Sequence, residues 1–224
     1  MESRLAGLKA KKSFSFKEKS LLDVLSTGIR FAPTIIAGVD DAKKVMRTPD
    51  RFFDFEAYKQ ADMIIKSALK LVSDAYAPSV LTLSTFESGT RAEESTQRAA
   101  EVTRNSDINP FVDLYEDVLL PSEQWDDYGL AGISIVGISQ ILPGLTLARM
   151  LKEKHPHLHV TLGGPIFSVN SKQLLDQPEF FDEFCDSVVT FEGEEPLHRL
   201  LTTLKQGSAL KEVPNLLFCE NGKV

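Results

Sequence analysis

The chain has few cysteines, no excess of positive charge and no long apolar run, and each shortage argues against a class of protein. Only 2 of its 224 residues are cysteines, and Cys185 and Cys219 lie too far apart in sequence for a CxxC metal or redox motif. The net charge of -7 argues against a broad nucleic-acid-binding surface, which needs clustered basic residues. Without an apolar run of about 18 residues or a signal-peptide core, we predict no membrane span and a cytoplasmic location.

Several common catalytic and cofactor motifs are also missing. The sequence contains no GxGxxG, P-loop, HExxH or GxSxG pattern, so none of the sites that these motifs build is predicted. His155, His157 and His159 alternate along the chain, as metal ligands on an extended segment do. They follow a predicted helix, however, and basic residues complement a helix C-terminus, so we predict surface histidines and no metal ligand. No residue is predicted to be catalytic.

The pattern along the chain divides it into four parts. Residues 1–19 carry several lysines and are predicted to be a disordered basic arm. Residues 20–121 are predicted to be mainly helical, with one candidate strand at 80–86. Residues 122–212 carry an α/β pattern, and residues 213–224 are predicted to start a following domain or to form a linker strand.

The stretch from Leu130 to Leu197 alternates short apolar runs with amphipathic segments. The apolar runs predict strands at Ala131–Ile138, His159–Pro165 and Ser187–Glu194. Short apolar strands that end in small residues and are followed by helices are typical of a parallel sheet covered by helices. We therefore predict an α/β fold, a Rossmann-like (flavodoxin-like) doubly wound parallel sheet preceded by a helical N-terminal region.

Small and polar residues fall at the predicted carboxyl ends of these strands, where ligands of such sheets bind. They are Ser139, Gly163, Gly164, Pro165, Gly193 and Glu194. Each also has a purely structural explanation. Ser139 can cap the helix that follows it, the two adjacent glycines can form a tight turn, and the glutamates can stabilise a helix start. The residues alone leave both explanations open.

Four segments of this region follow one another in a set order: Gly137–Ser139, Leu145–Arg149, Leu162–Pro165 and Val188–Leu197. This ordered set resembles the cobalamin (B12)-binding domain of B12-dependent radical S-adenosylmethionine (SAM) proteins, and most closely of those that mature ribosomally made peptides. The likeness covers roughly residues 48–224. It implies that a corrin ring lies against the carboxyl ends of the strands.

The resemblance also implies a role for each element. Ser139 and the backbone of Gln140 and Ile141 would meet the ring or its nucleotide tail, and Gly163 and Gly164 would let the tail pass close to the backbone. The segment after the third strand would flank the base of the tail; its residues are Phe191, Glu192, Gly193 and Glu194.

The chain departs from the family pattern in two ways. It has no DxHxxG motif, so we predict no histidine ligand to the cobalt. It also lacks the first strand–helix–strand unit of the family and the CxxxCxxC motif, which implies a piece that is truncated at both ends and not catalytic alone. SAM and a 4Fe–4S cluster would have to come from a missing region or from another chain of a radical SAM transferase.

Three hypotheses about function follow. The leading one is a cobalamin-binding or cobalamin-binding-like module that supports methyl transfer or peptide modification, with cobalamin, a radical SAM domain or a peptide as partners. The alternative is a degenerate α/β module that binds no cofactor and docks a partner or peptide at an open sheet edge. A third hypothesis, a small α/β enzyme that uses Glu192, Glu194 or the histidines at 155–159, has less support.

Overall fold

The computed structural model describes the backbone of all 224 residues and every side chain except those of Ser3 and Lys17. The chain forms two compact units, Met1–Thr90 and Arg91–Val224. The fold is mixed α/β, with N-terminal helices and a four-stranded, mostly parallel sheet. The predicted α/β class and helical N-terminal region are therefore confirmed at this level.

The first unit is built mainly from two long helices. Its elements are α1 (Glu2–Lys9), α2 (Phe16–Arg47), α3 (Pro49–Phe52), α4 (Phe55–Ala75) and an antiparallel pair of short strands, β1 (Val80–Leu81) and β2 (Phe86–Glu87). Helices α2 and α4 bury small and β-branched side chains between them, chiefly Ala42, Val45 and Ala61. Asp54 caps α4 by accepting a hydrogen bond from the backbone N–H of Ala57 at 2.8 Å.

The lysine-rich N-terminus forms helix where the sequence pattern predicts a disordered arm. Ser15 and Glu18 form a reciprocal capping box, in which each side chain accepts a hydrogen bond from the other residue's backbone N–H, and this starts α2. Lys11 adds an ion pair with Glu18 at 2.5 Å. The Ser-Phe-Lys-Glu sequence at residues 15–18 is a local signal for a helix start. The surrounding lysines led instead to the prediction of a disordered arm.

One helix of this unit has the length and composition of a membrane span. The segment Glu18–Arg47 of α2 passes that test, although charged residues interrupt it. Core helices of soluble proteins and signal sequences pass the same test, so this helix alone assigns no location to the chain.

The second unit contains the sheet. Its strands are β3 (Leu130–Ser134), β4 (His159–Gly163), β5 (Ser187–Val189) and β6 (Leu216–Phe218). Its helices are α5 (Thr96–Thr103), α6 (Pro110–Leu114), α7 (Ile141–Lys154), α8 (Pro165–Val169), α9 (Ser171–Leu174), α10 (Pro178–Phe184) and α11 (Glu194–Gln206). The strands lie in the order β3-β4-β5-β6, which is their order along the chain; β3, β4 and β5 are parallel, and β6 runs antiparallel to β5.

The two faces of the sheet differ in character. One face carries branched apolar side chains, among them Ile135, Val160, Leu162 and Val188, and contributes to the main core. The other face carries mainly small and polar residues, together with Leu130 and Val189; the small and polar ones are Gly132, Ser134, His159, Thr161, Gly163 and Ser187. Because side chains alternate along a strand, this division follows directly from the sequence once the strands are placed.

Helix α11 lies against the small and polar face. Its Leu197 lines one cavity together with Gly132 and Thr161, and its Leu201 lines another together with Leu130 and His159. Gly207, in the left-handed region with φ 65°, ends the helix. The helix therefore separates two openings on the same side of the sheet.

The boundaries of the sheet-containing unit differ from those predicted. Helices α5 and α6 belong to it: Asn109 is fully buried and donates a hydrogen bond to Thr146 of α7 at 2.9 Å, and Arg149 donates to the carbonyl of Thr103 at 2.9 Å. The tail, which the sequence pattern assigns to a following domain or linker, supplies β6, paired with β5 from Val189↔Leu216 to Ser187↔Phe218. Both differences arise from contacts between segments far apart in sequence.

Candidate functional site

A groove of about 450 Å³ opens toward the carboxyl end of the sheet, between strands β3 and β4 and helix α11. We call it the strand-end groove. Gly132, Thr161 and Gly163 form its floor, and Val189 and Leu197 form its apolar wall. Small residues on the floor keep the sheet backbone open to a ligand, so the groove suits a flat or elongated group more than a bulky one.

The two adjacent glycines at the end of β4 have different roles. Gly163 faces the groove: a Cβ placed on it would make only ordinary contact, 3.7 Å from the carbonyl oxygen of Val189. Gly164 has φ 110°, and a Cβ on it would lie 2.8 Å from the carbonyl carbon of Ile135 and closer still to its oxygen. Gly164 is therefore required by the backbone packing of neighbouring strands, whereas Gly163 is free to serve a ligand.

Phe191 stands at the rim of the groove in a conformation that is uncommon for an aromatic residue. Its φ is 60°, in the left-handed region, and 67% of the residue is exposed. Its backbone N–H donates a hydrogen bond to Oγ of Ser168 at 2.7 Å, and the preceding Thr190 is fixed by two hydrogen bonds to the carbonyl of Asn215. Surrounding structure thus holds an exposed ring at the groove at a cost of about 1–2 kcal/mol.

Five of the residues predicted as cofactor contacts line the strand-end groove. They are Gly163, Gly164, Phe191, Gly193 and Glu194. Glu194 is the first residue of α11, where a carboxylate also favours the helix dipole. The structure thus brings together predicted residues from two neighbouring strand ends.

The other five predicted residues do not line this groove. Gln140 accepts a hydrogen bond from the backbone N–H of Val136 at 2.8 Å and so fixes the loop between β3 and α7. Ser139 lies in the same short 3-10 turn, and Ile141 packs against the core on the other side of the sheet. Pro165 occupies the first position of α8, and Glu192 is exposed between β5 and α11.

Sequence reasoning missed the other seven residues of the groove, which are Gly132, Ile133, Ser134, Thr161, Leu162, Val189 and Leu197. The predicted strand ran on to Ile138, whereas β3 ends at Ser134. Ser134, and not Ser139, is therefore the serine at the carboxyl end of this strand. The alternation of Gly132 and Ser134 with two isoleucines could have predicted these residues, because it marks a strand with one small and one apolar face.

Among the described side chains, Glu194 is the one ionisable group that lines the strand-end groove. The exposed Glu195 pairs with Arg199 at 2.5 Å, and hydrogen bonding to that guanidinium lowers the pKa of the carboxyl. Among the side chains that the structure describes, no group of three or more histidine, cysteine, aspartate or glutamate residues is arranged to hold a metal ion. His155 and His157 both lie 3.9 Å from the exposed Asp126, away from the groove.

No protein-family model, curated protein or solved structure matches this chain.

Proposed function

We propose that the unit Arg91–Val224 is a cobalamin-binding or cobalamin-binding-like module of a B12-dependent radical SAM enzyme, supporting methyl transfer or peptide modification. One observation carries the proposal: a groove with a floor of small residues runs between the carboxyl ends of parallel strands and a helix. Ligands of open α/β sheets bind at this position.

The size and lining of the groove suit the nucleotide tail of the cofactor. A groove of about 450 Å³ is in the range of small-molecule sites, and Gly163 leaves its part of the lining without a side chain. In this proposal Gly132 and Gly163 make room for the tail, and Leu197 and Phe191 flank its base. Bound cobalamin would supply the methyl- or alkyl-carrying chemistry, and this chain would orient it.

We also propose that the observed four-stranded sheet is part of a Rossmann-like, doubly wound sheet. The four strands lie in chain order, and β3 is at one edge. In a doubly wound sheet the strand order reverses once, and the ligand binds at that point. The reversal would lie beyond β3, where a further strand would pair with the free edge of β3. No histidine lines the groove among the described side chains, so we propose no histidine ligand to cobalt.

The radical SAM chemistry itself is assigned to partners. The sequence contains no CxxxCxxC motif, so SAM and a 4Fe–4S cluster would be held by another region or another chain, with a peptide as substrate. In this proposal the described residues bind and orient the corrinoid and hold no proton in the reaction.

The test is the retention of hydroxocobalamin, measured by visible absorption after incubation and desalting. We expect corrin bands in the native chain and their loss in Gly163→Leu, because leucine would occupy the groove while its Cβ makes only ordinary contacts. Gly137→Leu is the matched control: its Cβ meets nothing within 4 Å, and Gly137 does not line the groove.

The Gly163→Leu result is meaningful only if this variant melts at the temperature of the native chain. Folded native chain that retains no corrinoid would overturn the proposal, and so would equal retention by both leucine variants.

A degenerate docking module remains the second candidate because β3 is an edge strand. Its one strand neighbour in the sheet is β4, so its other edge is available to a partner strand. A chain that binds no corrinoid but self-associates through this edge would favour this candidate. Gly129 and Ile135 bond to β4, so the even-numbered residues of β3 direct their N–H groups to the free edge. Gly132→Pro, which removes one of these outward donors, would then abolish the association.

A further inference from the structure

A second and larger cleft opens at the opposite end of the same sheet face. It has a volume of about 1020 Å³ and lies at the amino ends of the strands. We call it the amino-end cleft; its apolar lining includes Leu130, Leu158, Phe181, Leu201 and Leu204. Nothing in the proposed cobalamin site uses these residues, so the cleft calls for a separate explanation.

A chain of buried hydrogen bonds ends at a histidine in this cleft. Nε2 of His159 lies 2.8 Å from Oγ of Ser187, which donates to Oγ1 of Thr161 at 2.9 Å. Thr161 in turn donates to the carbonyl oxygen of Ser187 at 3.3 Å. With both hydroxyl protons used in this way, the hydrogen-bond network assigns the proton to Nε2 of His159, which donates to the Ser187 oxygen.

This network determines what His159 presents to a ligand. With the proton on Nε2, the other ring nitrogen, Nδ1, is a hydrogen-bond acceptor. Burial lowers the pKa of His159; of the two nearby charges, which have smaller effects, Asp186 raises the pKa and Lys152 lowers it. The ring is therefore neutral near neutral pH. His159 thus gives the lining of the cleft an uncharged acceptor.

The charges around the cleft favour neutral ligands over anions. Lys152 and Asp186 neutralise each other in an ion pair of 2.5 Å, and Asp186 also accepts a hydrogen bond from the backbone N–H of Val160 at 2.8 Å. The remaining charged side chains of the lining are Asp127, Asp182 and Lys205, with an excess of one negative charge. A phosphate or carboxylate would gain no net attraction there.

We infer that the amino-end cleft is a binding site for an uncharged, mainly apolar small molecule that donates one N–H or O–H hydrogen bond to Nδ1 of His159. The leucine and phenylalanine side chains would bury the apolar body. The fixed ring of His159 would select molecules with a donor, because an acceptor in its place would leave Nδ1 and the ligand atom unpaired.

Indole and benzofuran provide a matched pair of probes, since they have nearly the same shape and differ in whether N–H or oxygen occupies the ring. We expect indole to bind about tenfold more tightly than benzofuran, the difference that one hydrogen bond makes. Nitrogen-15 NMR of the histidine rings would show the Nε2–H tautomer of His159 and a shift of Nδ1 when indole is added. Equal binding of the two probes, no binding of indole, or the Nδ1–H tautomer would overturn the inference.

Two variants on one helix locate the site. Leu197 and Leu201 are one turn apart on α11 and 39% and 49% exposed, and each lines a different opening. Leu201→Trp should narrow the amino-end cleft beside His159 and weaken indole binding at least tenfold, whereas Leu197→Trp should leave indole binding unchanged. His159→Phe keeps the ring but removes the acceptor and should bring indole to the affinity of benzofuran. Loss of indole binding in Leu197→Trp alone would place the indole in the strand-end groove and overturn the inference.

Discussion

The strand-end groove and the amino-end cleft share one sheet face and one helix, yet they are built from different chemistry. The groove has a floor of Gly132, Thr161 and Gly163. The cleft has a histidine fixed by a hydroxyl relay and a neighbouring ion pair. The groove provides space but no fixed hydrogen-bonding side chain on its glycine floor. The cleft has apolar walls and one histidine whose ring is held by hydrogen bonds. Small residues allow a ligand close approach, whereas buried polar networks select for its hydrogen-bonding groups.

The largest expected effect on stability is at the two adjacent glycines. It distinguishes the glycine that backbone packing requires from the one that leaves space for a ligand. Gly164→Ala should cost about 3 kcal/mol or more, because it combines an unfavourable φ with a clash against the backbone of Ile135. Gly163→Ala should change stability by less than about 1 kcal/mol, since its Cβ meets only ordinary contacts. Urea unfolding of both variants measures the difference. Equal costs would mean that the groove floor is itself packing.

A smaller effect on stability is expected when the pH is lowered, and it arises at His159 in the amino-end cleft. Since burial lowers the pKa of His159 below its usual 6.5, the unfolded chain takes up a proton at this residue at a higher pH than the folded chain does. Stability contributed by the neutral ring is complete above pH 6.5 and is lost as the pH falls from there toward the folded pKa.

The free energy of unfolding, measured between pH 7.5 and about 5, should therefore decline more steeply in the native chain than in His159→Phe. The other ionisable groups are the same in both chains, so the difference between the two curves reports the titration of His159 alone. Parallel curves would show that His159 titrates like an exposed histidine and would remove the neutral acceptor from the cleft.

The smallest effect on stability is expected at the rim of the groove. Phe191→Gly relieves a strain of about 1–2 kcal/mol and adds a backbone-entropy cost of about 0.5–1 kcal/mol, so the melting temperature should barely change. Corrinoid retention should nevertheless fall, because the exposed ring is lost from the rim. Phe191→Tyr, which keeps an aromatic ring, is the control. A variant that retains corrinoid as well as the native chain does would show that the ring has no part in binding.

Much of the fold could be predicted from local pattern. The caps Asp54 and Asn109 and the alternation of apolar runs with amphipathic helices follow from short-range periodicity and side-chain chemistry. The strand ends were less predictable. Residues after Ser134 continue an apolar run, yet Val136 and Ile138 are 62% and 70% exposed, so apolarity alone did not mark the end of β3.

The sequence by itself determined the α/β class, the parallel arrangement of the main strands and the small residues near their carboxyl ends, because these depend on residues close to one another in the chain. Tertiary structure alone decided which glycine faces a ligand, which ring nitrogen of His159 carries the proton and that the tail adds a strand to the sheet. Gly164 is required by the backbone of Ile135 on the neighbouring strand, and the proton of His159 is set by hydroxyls on two strands. Such contacts join segments distant in sequence, and no local pattern encodes them.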